Sequence, residues 1–196
     1  MIVTRLRTMN YTKKELLDMG IQFGKNIQIH RTVLFFGNNI QIGSNVRIDC
    51  YSVITSSEPI VLGNNIHLCA GVYIFGTAGV QIGNYCNLAP RCSIFTTSDD
   101  YTEGYLTNST ISDEFKEVKR ASVKLEKHVI VGCGSIIMPG VTLGMGASVG
   151  ALSFVNKDVP EFHIVGGTPI SKLGRRNKNR LLEMERLFTN KMNKTK

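Results

Sequence analysis

An aliphatic or aromatic residue returns every six positions along most of this chain, and that beat restricts the fold more than any motif does. The series runs Phe23, Ile29, Phe35; Ile42, Ile48, Ile54; Leu62, Leu68, Ile74; and Ile82, Leu88, Ile94. After a polar interruption it resumes as Leu125, Val131, Ile137 and Leu143, Val149, Val155. Steps of six in groups of three predict a triangular coil, each side a short strand and each corner a turn. A helical period of 3.6 cannot keep this register over such a length. Two positions before each large residue sits a second inward one, small or β-branched, as at Val46, Val72, Cys86, Cys92, Ser135, Ala147 and Ser153. A narrow triangular interior requires such residues. Outward positions are expected to carry Gln, Asn, Lys and Arg. Glycine follows the first member of the early trios, at Gly24, Gly43, Gly63 and Gly83.

The fold class that follows is all-β: a parallel β-helix of about six coils, with an extended loop and short N- and C-terminal helices. Coils bury their apolar stack only against each other, so the ends need caps. Residues 1–20 are expected to form a helical cap, with Thr12 as N-cap, Glu15 completing a capping box and Gly20 as the stop. Residues 21–170 form the β-helix, with an excursion over 95–122. Residues 171–196 form a basic helical tail, in which Leu181, Met184, Leu187 and Phe188 fall near one face.

The formal charge of +8 is concentrated in that tail, where nine Lys or Arg from Lys172 to Lys196 face only Glu183 and Glu185. A solvated helix face is the preferred reading, ahead of contact with nucleic acid or a membrane surface. Five scattered cysteines show no C-x-x-C spacing, which suits reduced thiols. His30, His67, His128 and His163 are too far apart in sequence to form a histidine zinc site, and no metal is expected. No apolar run reaches bilayer length, and "MIVTRLRTMN" lacks the apolar centre of a signal peptide, so a cytosolic location is expected.

The aliphatic-glycine hexapeptide in threes resembles the hexapeptide-repeat acyltransferases, whose coils form a left-handed parallel β-helix. More narrowly it is similar to the galactoside and maltose acetyltransferase type, and to bacterial surface-polysaccharide enzymes in which "SDDY…GYLTN" precedes the last coils. "VGCGSIIMPGVTLG", "GALSFVNKDVP" and "GGTPISK" resemble that family's late coils and C-terminal hook. The resemblance implies a cytoplasmic bacterial homotrimer using acetyl-CoA, bound in a groove between neighbouring β-helices, with no metal. It places Cys133, Ala151, Asn156 and Lys157 on CoA, and Lys172 and Arg175 at the hook near its phosphates. Two departures stand out. The family's loop histidine, which deprotonates the acceptor hydroxyl, falls on Asp99, beside Asp100. The asparagine near the reaction centre falls on Cys69.

An acyl thioester is already activated, so the protein must position the acceptor, take its proton and hold the oxyanion. A sugar hydroxyl wants a base tuned near neutrality, and an unperturbed aspartate titrates at about 3.9. Crowding by the second aspartate is one way to raise it. An amine acceptor arrives as an ammonium that a carboxylate binds directly. Aspartate in the histidine position therefore favours an amino sugar, and Asp99 and Asp100 are the candidate catalytic pair. The alternative for both is turn chemistry. Tyr101, Tyr105 and Asn108 are candidate acceptor contacts with Cys69, or else loop anchors. His67, at an outward corner, is open to an acceptor-side role or to being an ordinary surface histidine. The expected function is acetyl transfer from acetyl-CoA to a sugar of surface-polysaccharide synthesis, favouring N-acetylation of a nucleotide-linked amino sugar. Sugar O-acetylation and a noncatalytic assembly scaffold are the alternatives.

Overall fold

The computed structural model describes residues 9–194. Each trio closes one triangular coil, and like strands stack in parallel to build three faces. The first face is in register from Gln22 through Gln41, Val61, Gln81 and Lys124 to Thr142. The second runs from Gln28 through Arg47, His67, Asn87 and Ile130 to Ser148. The third runs from Leu34 through Val53, Tyr73, Ser93 and Ile136 to Phe154. Six coils are complete, and the strand His163–Gly166 begins a seventh on the second face. Gln81 pairs directly with Lys124, so the excursion is spliced in without changing which residues point inward.

The interior is the predicted one. Ile54, Leu68, Ile74, Leu88, Ile94, Leu125, Val131 and Val155 are fully buried, and so are the small inward residues Val72, Cys92, Ser135 and Ala147. Burial pushes the Cys86 thiol up to about 12 and the Cys92 thiol up to about 11, which fits compact apolar fillers. The glycine column has a steric cause. A Cβ on Gly43 would lie 2.4 Å from the Gly63 carbonyl oxygen, and one on Gly83 would lie 2.8 Å from the Lys127 nitrogen. Neighbouring coils touch backbone to backbone there.

The outward rows depart from expectation on the third face. They read Leu34, Val53, Tyr73, Ser93, Ile136, Phe154, and beside them Phe36, Thr55, Phe75, Phe95. Leu34 is 50% exposed and Phe36 56% exposed, while Phe75 and Phe95 stack at 5.1 Å. On the first two faces the outward rows are mostly polar, with Val61 and Ile130 the apolar members. A contiguous apolar face of this kind marks an interaction surface.

Helix α1 (Lys13–Asp18) caps the first coil with Leu16, which is buried. Its capping box is the predicted one: the Thr12 N–H donates to Glu15 Oε2 at 2.7 Å, and the Glu15 N–H donates to Thr12 Oγ1 at 3.3 Å. The start of the expected N-terminal cap, residues 1–8, lies outside the described residues. At the other end, Ser171–Arg175 folds back antiparallel on His163–Gly166. Helix α2 (Lys178–Lys194) follows and, at 17 residues, is longer than the short helix expected. It lies back on a corner of the coil: Glu185 accepts from His128 Nε2 at 2.8 Å and pairs with Lys127, and Phe188 meets Tyr85 edge-on at 6.1 Å. Met184 and Leu187, on its expected apolar face, stay exposed.

Candidate active site

The excursion leaves the coil at Thr96. That side chain is buried; its hydroxyl donates to the Phe75 carbonyl at 2.9 Å and accepts from the Ala78 N–H at 2.9 Å. The chain returns at Ala121, whose N–H donates to the Thr96 carbonyl at 3.0 Å. Between them Thr97–Asp99 pairs antiparallel with Val118–Arg120, a rigid stem with Asp99 opposite Val118.

The two aspartates do different work. Asp100 staples the loop: its carboxylate accepts backbone N–H groups from Thr102 at 2.9 Å, Glu103 at 3.0 Å and Tyr105 at 3.3 Å. Those bonds, Thr102 first, hold its acid down at about 2. The expectation that crowding raises one carboxyl toward neutrality therefore fails for Asp100, because a carboxylate gathering N–H donors is stabilised in its charged form. Turn chemistry explains this residue. It explains Asn108 as well, which sits at φ 76° and accepts from the Thr110 N–H at 2.9 Å and hydroxyl at 2.7 Å. Asp99 is half-buried, and among the described residues no side-chain hydrogen bond or ion pair engages its carboxylate. It lines a cavity of about 620 Å³ with Tyr101, Thr97 and Val118 on the loop side and Phe95, Met138 and Phe154 on the coil side. Tyr101 is 88% exposed over that cavity, and Tyr105 is exposed outside it.

Asn156 and Lys157 follow the strand Phe154–Val155, two coils beyond the root of the excursion and next to that cavity wall. Cys133 and Ala151 stack on the corner between the second and third faces, where the Leu152 N–H donates to the Cys133 carbonyl at 2.8 Å. Both are exposed. Lys172 and Arg175 are exposed on the hook strand at the edge of the second face. Within one chain the third face separates Asp99 from Cys133 and Ala151, so the candidate residues form two groups.

Cys69 belongs to the second group, with company that sequence reasoning missed. Arg47 Nε donates to Asp49 Oδ1 at 2.7 Å, Asp49 Oδ2 is 2.8 Å from His67 Nε2, and His67 Nδ1 is 3.6 Å from Cys69 Sγ. Burial alone would raise the Asp49 carboxyl, but hydrogen bonds from His67 and Arg47 outweigh it and hold the acid below its ordinary value. Burial, then the Asp49 charge, pushes the Cys69 thiol up. The signal was present: Arg47 and His67 occupy the same place in successive coils, as Asp49 and Cys69 do, so the four meet across one coil boundary. Asp49, His67 and Cys69 also present ligand atoms within 4.8 Å of one another. Carboxylate, imidazole and thiol suit zinc, and histidine spacings say nothing of such a mixed trio. Here each member is already partnered within the group.

The comparisons with known proteins fit this geometry. The family described as the hexapeptide repeat of succinyl-transferase matches residues 37–75 and 122–157. The dTDP-4-amino-4,6-dideoxy-D-glucose acyltransferase of Escherichia coli is 37% identical over 177 residues, covering 89% of this chain and 92% of that protein. AntD, an N-acyltransferase from Bacillus cereus, has been solved with dTDP and 3-hydroxybutyryl-CoA. It superposes with a TM-score of 0.89 at 32% identity, covering 94% of this chain and 98% of its own. A variant of AntD bound to dTDP-4-amino-4,6-dideoxyglucose and coenzyme A superposes equally well, with a TM-score of 0.89 at 31% identity, covering 93% of this chain and 98% of its own. The relatives are transferases, which removes the noncatalytic scaffold. With its left-handed parallel β-helix and its near full-length kinship to these enzymes, the chain belongs to the hexapeptide-repeat acyltransferases.

Proposed function

We propose that this enzyme transfers a short acyl group from CoA to the amine of a dTDP-linked 4-amino-4,6-dideoxy sugar. The observation that carries the reading is Asp99: a carboxylate that no side chain among the described residues engages, fixed on a two-stranded stem over an apolar-walled cavity. An ammonium is the natural occupant for such a carboxylate, since a charge-assisted hydrogen bond offsets the cost of taking both groups partly out of water. The amine then has only to lose a proton, and an activated thioester asks little more. The ligands bound to AntD and the kinship to the E. coli dTDP-4-amino-4,6-dideoxy-D-glucose acyltransferase support the same acceptor class.

Assembly completes the site. The exposed apolar ladder of the third face packs against neighbouring copies in a homotrimer, bringing Asp99 and Tyr101 of one subunit to the corner of the next. There Cys69 and Cys133 lie beside the acyl thioester and Ala151 holds the pantetheine arm, Asn156 and Lys157 reach it from the cavity side of the first subunit, and Lys172 and Arg175 meet the CoA phosphates. Asp99 binds the ammonium, and Asp100 and Asn108 shape the loop that holds it. Acetyl is one candidate acyl group; the supply of acyl-CoA and nucleotide sugars puts the reaction in the bacterial cytoplasm, and surface-polysaccharide synthesis is its setting. Among the described residues, no helix is long and apolar enough to cross a membrane.

The test is CoA-thiol release across a panel of short acyl-CoAs, with dTDP-linked amino sugars and their hydroxyl counterparts as acceptors. Turnover of the amines with little on the hydroxyl sugars is expected. Turnover confined to hydroxyl acceptors refutes the reading.

A further inference from the structure

We propose that the cleft between Asn10 and Arg47, on the first two coils, seats the diphosphate of a nucleotide-linked acceptor, and that Arg47 is the residue that grips it. The inference rests on the acyltransferase reading above and names the part of the acceptor that its site selects.

Three observations carry it. First, there is an enclosed space lined by polar groups. Residues 9–11 run antiparallel to residues 29–31, with the Tyr11 N–H donating to the Ile29 carbonyl at 2.8 Å and the Arg31 N–H to the Met9 carbonyl at 2.7 Å. This segment walls off a cavity of about 190 Å³ lined by Asn10, Gln28, His30, Arg47 and Asp49.

Second, the donors are uncommitted. Arg47 gives only Nε to Asp49, at 2.7 Å, and among the described residues its two terminal nitrogens have no partner. That guanidinium edge is the one that meets a phosphate through parallel hydrogen bonds. No side chain among the described residues engages Asn10 or Gln28. The Thr32 N–H donates to His30 Nδ1 at 3.2 Å, so Nε2 carries the ring proton and is a further donor. Asp49 is the one anion in the lining. Its two oxygens are taken by Arg47 and His67, so it anchors the guanidinium.

Third, the position fits the acceptor. Gln28, Arg47 and His67 hold the same place in successive coils. At about 4.8 Å per coil, the middle of the cleft is about 7 Å from the level of His67 and Cys69. A pyranose ring with its anomeric oxygen bridges that gap, so an amine beside Cys69 sets the diphosphate against Arg47. The CoA proposed above runs the other way, from Cys133 past Ala151 to the hook. The two substrates then approach Cys69 from opposite ends of one corner. A diphosphate is anionic and a simple glycoside is neutral, so Arg47 separates activated amino sugars from free ones.

The experiment uses the full-length enzyme with acetyl-CoA and two acceptors, dTDP-4-amino-4,6-dideoxyglucose and the methyl glycoside of the same amino sugar. Arg47→Gln should raise KM for the dTDP sugar by about 10- to 10²-fold, the range of a hydrogen bond between charged groups, while kcat and the KM for acetyl-CoA hold. The methyl glycoside should show no such rise. Arg47→Lys, which keeps the charge and loses the fork, should recover part of the loss. dTDP alone should compete with the acceptor, and Arg47→Gln and His30→Phe should each weaken that inhibition. Oligomeric state and circular dichroism confirm that each variant folds. A rise in KM for acetyl-CoA instead assigns the cleft to CoA and overturns the inference. An equal loss on both acceptors also overturns it, since Arg47 then works only by holding Asp49 and His67. If amino sugars turn over and Arg47→Gln changes nothing, the acyltransferase reading stands and the cleft falls. If only hydroxyl sugars turn over, the amine reading falls, and weakened dTDP inhibition in Arg47→Gln still upholds the cleft.

Discussion

Replacing Asp99 with asparagine keeps the shape of the loop and removes one charge. At about 4 Å and an effective dielectric of about 20, a carboxylate and an ammonium attract by about 4 kcal/mol. That is an upper bound, because Asp99 is only half-buried and the cavity it lines admits water. A hydrogen bond to a charged partner contributes about 1.5–3 kcal/mol net. At 1.36 kcal/mol per tenfold, Asp99→Asn should lower kcat/KM for an amino-sugar acceptor by about 10- to 10²-fold. The assay is thiol release at fixed acyl-CoA and varied acceptor, repeated on a hydroxyl analogue. The loss should fall on the amine and spare the hydroxyl compound, and acyl-CoA affinity should hold. Asp100→Asn is the paired control. It keeps one acceptor oxygen for the N–H groups of Thr102 and Glu103, so it should loosen the loop without discriminating between the two acceptor types. Equal losses on amine and hydroxyl from Asp99→Asn would refute the ammonium contact.

Other positions test the scaffold. Gly43→Ala drives a Cβ to 2.4 Å from the Gly63 carbonyl oxygen and should cost about 1–3 kcal/mol in urea unfolding, while Gly174→Ala, with nothing within 4 Å, should cost under about 0.5 kcal/mol. Phe36→Glu, on the exposed end of the apolar ladder, should give monomers in light scattering with an unchanged circular dichroism spectrum; an intact trimer would remove that face from the interface. Asp49 has a folded pKa below its ordinary 3.8. The unfolded chain therefore binds its proton first as pH falls, so its stabilisation is whole above about 3.8 and is lost as pH drops through the folded value. The melting temperature of Asp49→Asn should accordingly fall less than that of the parent across that window.

The coil was legible because its cause is local and periodic. Each large residue must point inward every six positions, and Leu62, Leu68 and Ile74 obey that whatever lies around them. The capping box of Thr12 and Glu15 is equally local. What sequence could not separate was Asp99 from Asp100. Neighbours in an extended strand point opposite ways, and which one meets the cavity depends on the turn that follows, where Thr102, Glu103 and Tyr105 offer their N–H groups to Asp100. The Asp49–His67–Cys69 trio was hidden for another reason. Its members are 18 and 2 residues apart, and only the coil length, not any motif, brings Asp49 under His67. The aromatic rows of the third face were visible as residues, but a repeat that assigns them outward does not say what covers them.

The same geometry explains why such an enzyme needs both an excursion and a corner. Along a strand of the coil every side chain points into a filled interior or straight out, so a face alone cannot enclose a substrate. Corners relax this: His67 and Cys69, two residues apart, flank the buried Leu68 and converge on one hydrogen-bonded group as the chain turns. The excursion supplies the opposite wall, carrying Asp99 away from the coil on its own two-stranded stem. In one chain the third face stands between these walls, and that face is the apolar one. In the proposed trimer, packing it against copies of itself would bury the ladder and set the wall of one subunit against the corner of another. On this account stability and catalysis draw on a single interface. A charge at Phe36 should therefore abolish turnover along with assembly, although Phe36 is on the first coil and far from Asp99, three coils away. A monomer that kept full activity would show the two walls meet in some other way.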